Sequence, residues 1–160
     1  RYPKVLLTYA EAKIKAGEID ASVLEAINKV RQRPSVKMPP ITTTDPNELF
    51  YAVARERKYE FSGEGLRLFD IRRWKIAETV MNQPLLGRMK KSYPDKAPRI
   101  DEWGTAFYEG IPIAESGESA DFKMRVVDIR KFDKNRDYLW PIPYIERQTN
   151  PNLTQNPNYE

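Results

Sequence analysis

The chain contains no cysteine and no histidine. Without cysteine there are no disulfides and no thiolate nucleophile, and without either residue there is no Cys/His zinc site and no imidazole base. Long apolar runs are also missing, so nothing approaches the length of a membrane span. The sequence shows no signal peptide and no initiator methionine, starting at Arg1 just before an apolar helical pattern. It is expected to be a fragment of a longer protein. Excess charge of one sign is small: 27 basic residues face 23 acidic ones, for a net charge of +4. Binding through phosphates needs clustered basic excess. Here Lys and Arg are interleaved with Glu and Asp, and a nucleic-acid partner is not expected.

What is present is an ordinary globular balance, 40% hydrophobic and 31% charged over 160 residues, enough for a modest domain with a core. Residues 3–16 read as a helix with Pro3 at its start, an apolar stripe of Val5, Leu6, Tyr9, Ala10 and Ile14, and Gly17 as terminator. Asp20 or Ser22 can cap a second helix over 21–33, closed by Pro34. The spacing, about 34 residues for the pair, is that of a tetratricopeptide unit or of a generic helical hairpin. A third helix starts at Pro46, capped by Thr44 or Asp45, and runs to Phe61. A fourth follows from Leu66 to Met81 after the Ser62–Gly65 turn. The helical hairpins are therefore placed at 3–33 and 45–81. Residues 82–123 lack a clean period and read as a long irregular insertion, a feature more often functional than neutral. The rest, 124–160, is assigned a β-hairpin and a coil tail, with "MRVVDIRKF" and "DYLWPIP" as strands around a "DKNR" turn. "FDKNRD" has alternating acids but not the length or glycine of a calcium loop, and no metal or cofactor is expected.

The stretch "RERKYEFSGEGLRLFDIRRW", residues 55–74, mixes four acids with six basic residues on apolar helical stripes. Glu56 and Glu60 share a face with Leu49 and Val53, and Asp70 and Arg73 share one with Leu66 and Ala77. Charges in an apolar stripe are costly unless paired. Arg55, Arg57, Arg67, Arg72 and Arg73 are near enough in sequence to be the partners. Glu56, Glu60, Glu64, Arg67, Asp70 and Arg73 are accordingly expected to form a structural ion network between the two helices. The catalytic alternative is a glycosidase carboxylate pair, which must flank a cleft with one pKa raised. Neighbouring arginines lower carboxylate pKa values instead. Trp74 and Trp140 are expected to be packing residues.

Three blocks resemble the SusD/RagB family. The helical hairpin carrying "VLLTYAEA" and "INKVRQR" is similar to the one that opens the C-terminal part of its members. The segment 54–74 resembles the family pattern E-R-x-x-E-x-x-x-E-G-x-R-x-x-D-x-x-R-W, supplied by Glu56, Arg57, Glu60, Glu64, Gly65, Arg67, Asp70, Arg73 and Trp74. The ending, 138–159, is similar too, with Asn158-Tyr159 in place of the usual glycine-tyrosine. The resemblance implies a mainly α fold of tetratricopeptide-like helical hairpins with an irregular ligand-binding region. It implies a non-enzymatic outer-membrane lipoprotein at the cell surface, anchored by an N-terminal lipid outside this chain. Such a protein captures oligosaccharides for a SusC-type TonB-dependent transporter. A peptide-binding member of the same family and a plain helical-repeat scaffold for protein–protein contact are the alternatives.

Sugars favour aromatic platforms beside polar groups. The insertion offers Trp103 and Tyr108 as first candidates, then Phe107 and Tyr93, with Arg99, Asp101 and Glu102 nearby. The competing role for these rings is to anchor the insertion to the helical scaffold.

Overall fold

A computed structural model of the chain describes residues 1–115 and 117–159. Its elements are α1 (Tyr2–Ala16), α2 (Ala21–Arg31), α3 (Pro46–Glu60), α4 (Leu66–Arg73) and α5 (Ala77–Met81), then β1 (Pro84–Gly87), β2 (Arg99–Ile100), β3 (Ala106–Phe107), β4 (Ile113–Ala114), β5 (Met124–Ile129) and α6 (Tyr144–Thr149). The chain divides into two compact units, Arg1–Arg67 with Pro98–Phe107, and Leu68–Ala97 with Tyr108–Glu160.

The first unit is built on three helices. α1 ends where Gly17 takes a left-handed φ of 75°, its amide bonding back to Ile14, a conformation that costs glycine nothing. Asp20 caps α2 by accepting from the Ser22 amide. Asp45 caps α3 by accepting from the Asn47 and Glu48 amides. Their apolar faces meet in a core of Ala10, Ile14, Val23, Ala26, Ile27, Leu49 and Val53, with a second cluster of Leu7, Val30 and Phe61. The α2–α3 connection is held by Asn28, whose amide donates to the Ile41 carbonyl (2.9 Å) and accepts from its N–H (2.7 Å). The β2–β3 hairpin, residues 98–107, belongs to this unit.

The second unit contains α5, a three-stranded sheet in the order β1-β5-β4, and α6. β1 runs antiparallel to β5, and β4 parallel to it. The register slips between Leu85 and Leu86, and beyond the slip a Cβ on Gly87 would lie 2.8 Å from Val127 Cγ2. Only glycine fits that approach.

Three expectations are corrected. The single helix over 66–81 is two, α4 and α5, because Lys75 adopts a left-handed φ of 57° and the Ile76 amide bonds back to the Ile71 carbonyl (3.0 Å). The redirected chain buries Ile76 and Ala77. The C-terminal β-hairpin is absent: β5 takes its partners from β1 and β4, both inside the stretch expected to be irregular. Residues 137–143 form no strand, since Pro141 and Pro143 have no N–H to donate to a ladder. Gln155 does a strand's work there instead, accepting from the Ile142 amide (2.8 Å) and donating to its carbonyl (3.0 Å). The tail expected to be coil contains α6.

The "DKNR" segment is a turn, with Asp137 accepting from the Asp133 amide (2.8 Å) and paired with Arg136 (2.6 Å). No group of three or more potential metal-ligating side chains occurs among the described residues. No helix among them is long and apolar enough to cross a membrane.

Candidate functional site

Glu56, Arg57 and Glu60 of α3 find their partners on α1, on α2 and in the residues that flank them. Glu56 pairs with Arg31 of α2, both side chains being at most 13% exposed. Glu60 lies 2.8 Å from Arg33 and 3.2 Å from Arg1, and Arg1 also pairs with Glu64. Arg57 is 4.0 Å from Glu11, both buried. The expectation that the arginines of residues 55–73 would serve these glutamates is therefore corrected. Glu56 and Glu60 sit on the inward face of α3, where the nearest guanidinium groups rise from the neighbouring helix pair. Arg55 and Arg67 instead donate to the Glu102 (3.0 Å) and Trp103 (3.3 Å) carbonyls. Asp70 pairs with Arg73 one turn along α4, at 2.8 Å. Burial also pushes the Glu56 carboxyl above its usual range, against the opposing pull of Arg31. The expectation of a lowered value overlooked that desolvation cost.

The four aromatic candidates separate. Trp103 and Phe107 belong to the first unit. The Trp103 ring lies edge-on to Tyr51 (4.8 Å) and Phe50 (6.1 Å) of α3. Its loop is tied by Asp101, which accepts from the Trp103 (3.0 Å) and Thr105 (2.6 Å) amides. Lys58 of α3 donates to the Gly104 carbonyl. Phe107 carries the Arg99 guanidinium over its ring at 4.6 Å. Trp103 thus anchors the hairpin to α3.

Tyr93 and Tyr108 belong to the second unit. Lys90 and Lys91 amides donate to the Ala120 and Asp121 carbonyls, both at 2.9 Å, and the Met124 amide donates to the Pro112 carbonyl (2.8 Å). These bonds gather three segments around Met89, Ala120 and Met124, all buried. Against Met89 lies a cavity of about 360 Å³. Its walls include Tyr93 and Phe122, respectively 69% and 66% exposed, with Ser92, Asp95, Lys96 and Glu109. Tyr108 is half-buried, next to the Glu109 wall. Phe122 was not among the sequence candidates. It stands in the same insertion, but only the pairing of 90–91 with 120–121 brings it to Tyr93. Trp140, expected to pack, is 62% exposed and carries Arg72 over its ring at 4.3 Å.

The profile of the SusD family matches residues 1–159. The SusD-like protein P2 of Formosa agariphila is 30% identical over 168 residues, an alignment covering 99% of this chain and 25% of that protein. A SusD-like protein from Bacteroides fragilis NCTC 9343, solved by crystallography, is 30% identical and superposes with a TM-score of 0.70, over 99% of this chain and 25% of its own. A SusD-like carbohydrate-binding protein from the same strain gives 33% identity and a TM-score of 0.71, over 96% of this chain and 28% of its own. The chain spans about a quarter of the length of these relatives.

Proposed function

Since the chain belongs to the SusD family, we propose that it is part of a nutrient-capture protein that binds glycan oligosaccharides and performs no chemistry on them. The reading rests chiefly on the groove of the second unit, where Tyr93 and Phe122 stand exposed beside Ser92, Asp95, Lys96 and Glu109. Aromatic faces cover the apolar side of a pyranose, and the flanking polar groups meet its hydroxyls. A solved relative described as carbohydrate-binding supports the ligand class. The non-enzymatic part is supported by Glu56 and Glu60, each held against guanidinium groups on neighbouring helices rather than facing a cleft. In the same proposal the helical hairpin of α1 and α2 is one pair of a tetratricopeptide-like scaffold. The whole protein is a lipid-anchored outer-membrane lipoprotein that delivers its ligand to a SusC-type TonB-dependent transporter.

Calorimetric titration with a panel of plant, algal and host oligosaccharides tests the reading. Saturable binding by at least one member, lost in Tyr93→Ala and in Phe122→Ala, is the expected result. Release of new reducing ends by the purified protein, or binding unaffected by both substitutions, overturns it.

A further inference from the structure

The segment "RMKKSYPDK", residues 88–96, lines the groove with Met89 and residues 92–96, and it carries Arg88, Lys90, Lys91 and Lys96 against the single acid Asp95. How these charges are matched decides what the groove attracts. Lys91 is taken up by Asp121 at 2.6 Å, and the pairing holds the Asp121 carboxyl below its usual range. Lys123 is taken up by Glu118. Glu109, on the other wall, is itself engaged. Lys96 lines the groove and Arg88 lies over the Tyr93 ring at 5.3 Å. Arg88 donates through Nε to the neighbouring Met89 carbonyl (3.4 Å). Among the described residues neither Arg88 nor Lys96 forms an ion pair with a carboxylate, and the exposed Lys90 forms none either, its charge only adding to that of Lys91 on Asp121. Asp95 is the one acid of the segment set against these three cations.

An exposed arginine fork beside an aromatic platform binds a planar or tetrahedral oxyanion through two hydrogen bonds while the ring holds the sugar. We propose that this groove is selective for acidic glycans, chains whose sugars carry carboxylate or sulfate groups, with Arg88 and Lys96 as the anion-binding residues. The inference deepens the glycan-capture reading and rests on it.

The test uses matched ligands differing only in charge: an oligogalacturonate and its fully methyl-esterified form, and a sulfated carrageenan oligosaccharide and its desulfated form. Each is titrated calorimetrically into the chain. The acidic member of at least one pair is expected to bind about tenfold tighter, given two or three partly exposed ion pairs. Raising NaCl from about 0.05 to about 0.5 M shortens the screening length and narrows that gap. Arg88→Ala and Lys96→Ala each weaken the acidic ligand roughly two- to fivefold and weaken the neutral one less, so the gap between the two narrows. Asp95→Asn tightens the acidic ligand. The pair that shows the gap identifies the anion as carboxylate or sulfate. Equal binding of charged and neutral members, or acidic affinity indifferent to Arg88→Ala and Lys96→Ala, overturns the charge selectivity and leaves glycan capture standing. Absence of saturable binding by both acidic ligands overturns the charge selectivity, and absence of binding by these ligands and by the whole oligosaccharide panel overturns both readings.

Discussion

Glu56 and Arg31 form a side-chain pair of the first unit that is costly to disturb. Both are nearly buried, so removing one leaves the other's charge without compensation. Arg31→Met or Glu56→Leu alone should each cost about 3–5 kcal/mol, whereas the double replacement should cost far less. Urea unfolding of the four proteins measures the coupling. Two acids of this unit, displaced in opposite directions, should respond to pH in opposite senses. The Glu56 carboxyl is raised by burial, so the folded state holds its proton more tightly than the unfolded chain does. Its stabilising contribution is complete below the usual value of 4.5 and is lost as pH rises through the raised value. Asp20 is lowered to about 2 by Lys13 and Ser22, so its contribution is present above the usual 3.8 and is lost as pH falls towards about 2. Thermal midpoints followed against pH should show the advantage over Glu56→Gln shrinking with rising pH. The advantage over Asp20→Ala should shrink with falling pH.

At the level of elements, the anchoring role of Trp103 makes a separable prediction. Two edge-to-face contacts on α3 contribute about 1–3 kcal/mol together, so Trp103→Ala should free the 98–107 hairpin. Hydrogen exchange should speed up in β2, β3 and their turn while α1 and α2 keep their protection. Glycan affinity should be unchanged by the same substitution, because the aromatic groove lies in the second unit. Gln155→Ala removes both bonds to the Ile142 backbone. Those groups then have no ladder to fall back on, and exchange at Ile142 should rise. The stop of α1 and the starts of α2 and α3 were legible in sequence, because Gly17, Asp20, Asp45 and Pro46 act on backbone within four residues of themselves. The break at Lys75 was not legible. No glycine or proline marks it, and the turn exists because Ile76 and Ala77 are buried on the far side.

At the level of the whole molecule, the exposed positions of Tyr93 and Phe122 predict that Tyr93→Ala and Phe122→Ala leave the thermal midpoint within about 1 °C, as surface changes do. A loss of oligosaccharide binding in these variants would then report on the groove and not on unfolding. Local chemistry alone settled where α1 stops and where α2 and α3 begin, which faces of α2 and α3 are apolar, that no thiol or imidazole chemistry is available, and which family the chain resembles. All of these depend on neighbours within a turn or two, or on residue types. Tertiary structure alone decided which arginine meets which glutamate, what pairs with β5, and which aromatic rings share a groove. Each of those is a contact between residues about 10 to 60 positions apart, whose formation depends on loop closure and burial elsewhere in the chain. No spacing rule along the sequence encodes them.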